Sequence, residues 1–373
     1  MKQRSAETVN YEASQIISVL ENGNENFIFG NGWMGHKFFA ALCAMNIKIA
    51  GFVVSKKMDS VQFGVPVYTV EEIQKLNDRK NIFVALRDQD EELNCLLQKY
   101  CDILYPITYP RDITLIEARF YLDYLKNQGT DCEGHFLNLQ GFEFVNPFEK
   151  SDDYLLSWVY EAGDLLLPVL YNDFSRIDEG SYERENTELE TGEVVFDCGA
   201  NIGLFTSVAV QKGCKVFAFE PMPEAIAYLG ELKEKWNDAI EICPYALADK
   251  KGKAEFLVQN DDLIGASLFE GHNSIDKRYE VEVMTVDDFV REHQIEKVDY
   301  IKADIEGSER DMLRGAKETI KKFLPKISIC TYHLEDDKEV LENIIREISD
   351  SYVIEHKWKK LYAYVPDRKQ ILS

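Results

Sequence analysis

"VVFDCGANIGLF", residues 194–205, reads as a buried strand, a glycine turn and the start of a helix. Asp197 stands at the carboxyl end of the strand, and Gly199, Asn201 and Gly203 shape the turn. A helix start rich in glycine offers unblocked backbone N–H groups to a carboxylate or phosphate. An acid beside it suits an ammonium group, directly or through water. The next apolar run, "CKVFAFE" (residues 214–220), ends in Glu220, about 20 residues on, where an acid is expected to accept from both hydroxyls of a ribose. An amino-acid head joined to a ribose describes S-adenosylmethionine.

The pattern around this stretch sets the fold. From Glu193 onward, strand-like and helix-like segments alternate through "EVVFDC", "IGLFTSVAVQKG", "CKVFAFE", "PEAIAYLGELKEKW" and "IEIC". A β-rich passage follows ("KAEFLVQ", "YEVEVMT"), then "VDDFVREHQ", "VDYIKAD", the helix "SERDMLRGAKETIKKF", "PKISICTYH" and the helix "KEVLENIIREIS". Two last strands, "YVIEHK" and "LYAYVP", close the chain. Five βα steps ending in a hairpin predict an α/β, doubly wound domain over 191–373, whose last strand enters antiparallel.

A second alternation runs over residues 1–110, and it predicts another Rossmann-like domain. "FIFGNGWMGHKFF" (27–39) matches the dinucleotide fingerprint at Gly30, Gly32 and Gly35, and a helix is expected from Met34 to Met45. The following strand "IKIAGFVVS" ends in Ser55, Lys56 and Lys57, where a nicotinamide site would place an acid. Those residues suit a phosphate instead. An alternative reading is therefore a nucleotide-sugar oxidoreductase using NAD(P) here, with His36 as a helix N-terminal residue. "FGVPVYT" reads as a turn, "NIFVAL" and "DILYP" as strands, and Asp90–Tyr100 as a helix. Residues 111–190 form a connecting and lid segment, with a helix in "DITLIEARFYLDYLK" and ambiguous runs at 135–148 and 154–171.

Composition bounds the function. A chain of 373 residues exceeds what one core usually organises, so two domains are expected. The formal charge of −24 argues against a nucleic-acid partner, because a phosphate backbone needs a cationic face. No apolar run has the length of a membrane span, and the N-terminal residues lack the apolar core of a signal peptide, so a cytoplasmic protein is expected. The eight cysteines (43, 95, 101, 132, 198, 214, 243, 330) lack zinc spacing, and several sit in strand-like runs, which predicts buried free thiols.

The C-terminal region resembles the FkbM-type class I methyltransferases. The resemblance is carried by "VVFDCGANIGLF", "VFAFEPMPEA", "YALADKKG", "VEVMTVDDF", "VDYIKADIEGSERDMLRGA" and "ISICTYHLEDD", in the family's order over residues 179–365. It implies the seven-stranded methyltransferase fold and methyl transfer from S-adenosylmethionine to oxygen, often on sugars or polyketide hydroxyls. "EGSYE" (179–183) resembles the family's "EGPYE", with Ser181 in place of proline, which leaves the shape of this lid open. Glu183 of that motif joins Asp197, Gly199, Asn201, Gly203, Glu220, Tyr245 and Ala246 as expected cofactor contacts, the last two flanking adenine. The N-terminal region is similar to small domains of sugar-modifying enzymes.

For the chemistry, Asp304 ends the fourth strand, Glu306 lies in the turn after it, and His333 ends the fifth. With an ordinary pKa near ~6.5, His333 is expected to accept a proton at neutral pH. Asp304 or Glu306 would orient the acceptor or hold a divalent cation that acidifies it. The paired acids also fit a glycosidase, but their motif is better explained by methyl transfer. Asp287 and Asp288 read as helix caps. The expected acceptor is a small molecule or glycan, with Ser267 and His272 as candidate contacts. A non-catalytic cofactor-binding protein and a homo-oligomer are the other expectations kept open.

Overall fold

The computed structural model describes residues 19–20, 22–44, 47–56, 60–76, 80–85, 104–107, 129, 133–139, 141–147, 150, 154, 158, 181–258 and 277–371. The chain divides into two compact units. One is Met1–Gly134 with Pro147–Val159 and Leu167–Arg176; the other is His135–Asn146 with Tyr160–Leu166 and Ile177–Ser373. The segment 111–190 thus contributes to both.

In the first unit, β1 (Glu25–Phe29), β2 (Gly51–Val54), β3 (Val61–Gln62), β4 (Val65–Thr69), β5 (Lys80–Ala85) and β6 (Leu104–Ile107) form one sheet in the order 3-4-2-1-5-6. All pairings are parallel except β3 with β4. "VPVYT", expected within a turn, is strand β4: Val67 is buried against β2, and Thr69 both ends the strand and caps a short helix at Val70–Ile73. The helix after β1 runs Trp33–Ala44, close to the expected span. Buried amides knit the start of this unit, with Asn81 donating to Asn26 and Val19. The helices expected at 90–100 and in "DITLIEARFYLDYLK" lie outside the described residues.

The second unit is built on β9 (Val194–Cys198), β10 (Lys215–Phe219), β11 (Ile240–Cys243), β15 (Tyr300–Ala303), β16 (Lys326–Cys330), β17 (Val353–Lys357) and β18 (Lys360–Tyr364). Their order is 11-10-9-15-16-18-17, a seven-stranded sheet in which β18 inserts antiparallel between β16 and β17. Because helices cover both faces, the central strands read as unbroken apolar runs rather than alternations. Phe289, from the Val286–Glu292 helix, is wedged edge-on against Phe196, Phe217 and Phe219 of β9 and β10. The fully buried Phe196, Ile301 and Ile327 extend the core across the sheet.

Two additions were not legible as such in the sequence. The ambiguous run at 135–148 is a hairpin, β7 (Phe136–Leu139) and β8 (Phe142–Val145), tied to the Leu204–Gln211 helix through Gln211, which takes the Glu143 N–H and donates to its carbonyl. β12 (Ala246–Leu247), β13 (Gly252–Val258) and β14 (Lys277–Met284) make a separate three-stranded sheet. The single helix expected in "SERDMLRGAKETIKKF" is two, Glu309–Arg314 and Lys317–Phe323. The chain breaks at Gly315, where a Cβ would lie 2.2 Å from the Ala248 carbonyl oxygen. Asp287 caps the second of these helices, accepting from the Glu318 and Thr319 amides, rather than its own.

Five cysteines among the described residues are free; Cys198, Cys214, Cys243 and Cys330 are buried and Cys43 is exposed. No helix among the described residues is long and apolar enough to cross a membrane.

Candidate functional site

The carboxyl ends of β9 and β10 meet in a loop whose residues are left-handed in turn: Gly199 (φ 76°), Asn201 (φ 46°) and Gly203 (φ 86°). The Gly199 and Ala200 amides both donate to the Phe219 carbonyl at 3.0 Å, which folds the loop back over β10. Glu220 then reaches into it, accepting from the Asn201 N–H at 2.8 Å and the Met222 N–H at 2.9 Å. Burial pushes its pKa up to about 7, although the two amides and the Lys302 charge pull the other way. The acid expected at this strand end is therefore in place and built into the glycine loop.

Asp197 is fully buried and already engaged. Thr206 Oγ1 donates to one oxygen at 2.6 Å, and Lys302 Nζ lies 3.1 Å from the other. Lys302 also donates to the Gly199 carbonyl at 2.6 Å, so the pair anchors the loop. Sequence reasoning passed over Lys302, yet a lysine inside the apolar strand "VDYIKAD" is a signal in itself, since buried lysines are nearly always paired.

Gly199 joins the two halves of the site. A Cβ there would fall 1.9 Å from the Asp304 carbonyl oxygen, so only glycine lets the β9 and β15 loops touch. Gly199→Ala is expected to cost about 2–5 kcal/mol of stability, from overpacking plus a left-handed φ. Chemical denaturation reads this directly; wild-type stability would show that the two loops do not meet.

Beyond that contact lies the second cluster. Asp304 follows β15, and its Oδ2 accepts from the Tyr182 hydroxyl at 2.5 Å. His333 follows β16 and is 8% exposed, with Nε2 at 3.6 Å from Asp304 Oδ1 and 3.5 Å from Glu306 Oε2. On its other side Nδ1 lies 2.9 Å from Glu309 Oε1. Glu306 is held left-handed at φ 52°, a conformation that a non-glycine residue keeps only where its surroundings impose it.

The electrostatics correct one expectation. Burial acts to lower the His333 pKa, but Glu309, Asp304 and Glu306 outweigh it and raise it to about 10. Its resting form at neutral pH is imidazolium, and not the near-neutral imidazole that its ordinary pKa implies. Asp304 moves the other way: burial opposes ionisation, yet the charges of His333, Lys302 and Lys360 and the Tyr182 hydrogen bond hold its pKa below the usual value.

The "EGSYE" segment places Glu183 and Tyr182 differently. Glu183 accepts from the Leu189 amide and from Lys212 Nζ, both oxygens lying 2.7 Å from that ammonium, so it is committed to its own loop. Tyr182 instead reaches the crevice, its ring against Phe205. Ser181 makes the bend without proline: its hydroxyl accepts from the Glu183 amide, and its carbonyl accepts from Tyr362. Tyr245 packs edge-on to Phe289 beyond β11, and Ala246 is buried beside it. Asp288 pairs with Arg291. Ser267 and His272 lie outside the described residues.

In the other unit, Gly35 packs against the Gly30 carbonyl, where a Cβ would come within 1.9 Å, as helix and turn in a glycine-loop βα unit require. His36 contacts Asn31 Oδ1 through Nε2 at 2.9 Å and sits in the helix's first turn. Ser55 and Lys56 are exposed at the end of β2.

Asp304, Glu309 and His333 bring one potential metal-ligand atom each within 4.8 Å of one another. The donors do not fit a resident cation. Glu309 spends its oxygens on the Ile305 and Gly307 amides, whereas a metal takes available ligands.

Residues 197–357 match the family model described as the Methyltransferase FkbM domain. Hexuronic acid methyltransferase AglP of Haloferax volcanii is 26% identical over 136 residues, covering 36% of this chain and 54% of that protein. 2-O-methyltransferase NoeI of Sinorhizobium fredii is 28% identical over 145 residues, covering 35% of this chain and 59% of its own. The chain thus spans a little over half the length of these curated relatives. Among solved structures, methyltransferase FkbM from Methylobacillus flagellatus KT aligns over 96% of this chain and 98% of its own, at 16% identity and a TM-score of 0.42.

Proposed function

We propose that this chain, in which residues 197–357 match the Methyltransferase FkbM domain, methylates a hydroxyl of a sugar, nucleotide-sugar or polysaccharide intermediate with S-adenosylmethionine as cofactor. One observation carries the reading. The Gly199–Gly203 loop, with Glu220 built into it, touches the Asp304 turn through Gly199, so the loop that would seat a nucleoside adjoins the acid–histidine cluster. In open α/β sheets ligands bind outside the carboxyl ends of the strands, where these loops lie.

When bound, S-adenosylmethionine supplies a methyl group already activated on a sulfonium. The protein's task is then to seat the donor, align the acceptor oxygen and take its proton. Glu220 would exchange its loop amides for the ribose hydroxyls, and Tyr245 and Ala246 would border adenine. Asp197, tied to Lys302 and Thr206, holds the loop in shape for the amino-acid end.

At the reaction end, the gaps of 3.5 and 3.6 Å around His333 Nε2 are too long for direct hydrogen bonds and leave that nitrogen facing both acids. An acceptor hydroxyl seated among them would be oriented by Asp304 and Glu306 and would lose its proton to the neutral form of His333. Support for oxygen and for sugars comes from two relatives, one described as a 2-O-methyltransferase and one as acting on hexuronic acid. The test is incubation with methyl-labelled S-adenosylmethionine and a panel of UDP-sugars and uronic acid glycosides. Label in a methyl ether is the expected product. Label in an ester or amine, or in none of the panel, would contradict the reading.

A further inference from the structure

We propose that Glu309 is the positioning residue of this site, holding His333 by Nδ1 so that Nε2 faces the acceptor, and fixing with the same carboxylate the turn that carries Glu306. The inference rests on the reading of His333 as proton acceptor.

Glu309 is fully buried at the start of the Glu309–Arg314 helix. A buried carboxylate is expensive to keep unless its oxygens are satisfied, and here they are. Oε1 accepts from the Ile305 amide at 2.9 Å and lies 2.9 Å from His333 Nδ1, while Oε2 accepts from the Gly307 amide at 3.0 Å. Those amides, of Ile305 and Gly307, flank Glu306, which with Gly307 forms a left-handed pair (φ 52° and 99°). One side chain therefore holds both the imidazole and the turn that carries Glu306. The arrangement follows the general logic of catalytic triads, in which a third group orients the base.

The groups around the imidazole come from several elements. Asp304 and Glu306 face Nε2 from the loop after β15, and Glu309 faces Nδ1 from its helix. Lys302 on β15, Lys360 on β18 and the Tyr182 hydroxyl act on Asp304, and the charges of Asp304 and Glu309 act on the Cys330 thiol. Among the described residues only Glu309 meets the imidazole at ion-pair distance on the Nδ1 side.

The experiment is a histidine side-chain NMR titration of the full chain, with His333 assigned by comparison with His333→Gln, repeated on Glu309→Gln. The wild-type midpoint is expected far above neutral, and the variant's is expected to fall by more than about one pH unit, the scale on which one charge partner shifts a pKa. An unmoved midpoint in folded Glu309→Gln overturns the proposal. If that variant does not fold, the wild-type 15N spectrum decides: Nδ1 and Nε2 both protonated at pH 8 is the expected result, and a bare Nδ1 overturns it. With any acceptor the label assay identifies, the kcat midpoint should move with the NMR midpoint while KM stays put. A kcat loss without that movement assigns Glu309 a merely structural part. Failure of the label assay with an intact titration shift would instead sink the methyl-transfer reading and leave the Glu309–His333 pairing standing.

Discussion

His333→Gln is expected to lower methyl transfer by about 10²–10⁴-fold, the range a positioned general base supplies, while the affinity for S-adenosylhomocysteine is unchanged. The separation follows from geometry. His333 Nε2 faces Asp304 and Glu306, and Glu220 with its glycine loop lies on the far side of the Gly199–Asp304 contact. The wild-type pH profile carries the same information. With the His333 pKa raised to about 10, the neutral form is the minor one at pH 7, so kcat should climb about tenfold per pH unit before levelling near that value. The linkage sign is the reverse for stability. A histidine raised from 6.5 to about 10 on folding contributes stability that is complete below pH 6.5 and lost as pH rises through 10. A flat profile from pH 6 to 9 would mean that a carboxylate takes the proton. Equal turnover in His333→Gln would favour a cofactor-binding protein without this chemistry.

Glu220→Ala is expected to weaken S-adenosylhomocysteine binding by about 100-fold or more, since two hydrogen bonds to a charged acceptor are worth roughly 3–6 kcal/mol. Wild-type affinity should itself depend on pH. Burial raises the Glu220 pKa from 4.5 to about 7, and only the ionised carboxylate accepts from both ribose hydroxyls. Binding should therefore tighten as pH rises toward 7 and level above it, and Glu220→Gln should lose this dependence. For the ligand-free protein the sign again runs the other way: this group's contribution is fully present below pH 4.5 and is lost as pH rises through 7. Calorimetric titration at several pH values reads each of these. Unaltered affinity in Glu220→Ala would remove the second-strand acid from the site.

The order of strands in the second unit was legible because its signals are local: apolar runs, a glycine turn, and acids at strand ends. Asp197 sits near the end of β9, and Glu220, Asp304 and Glu306 sit in the loops after their strands, where their positions implied. What the sequence withheld was pairing. Nothing in "VVFDC" announces that Asp197 is met by Lys302 from a strand about a hundred residues later, and nothing in "EGSYE" announces that Tyr182 reaches Asp304. The pKa of His333 is likewise a property of three carboxylates converging from separate turns, invisible in the residue type. By sequence Glu309 is an acid in a helix's first turn, where the dipole alone would favour it. The break at Gly315 depends on the approach of Ala248, which no helix periodicity records.

The central claim is that the glycine loop after β9, and not the one after β1, takes the cofactor. Calorimetric titration of the intact chain with S-adenosylhomocysteine, and separately with NAD and NADP, tests it most directly. Tight binding of the first, with no heat from the nicotinamides, is the expected result. Nicotinamide binding without S-adenosylhomocysteine binding would move the working site to Gly30–Gly35 and contradict the account.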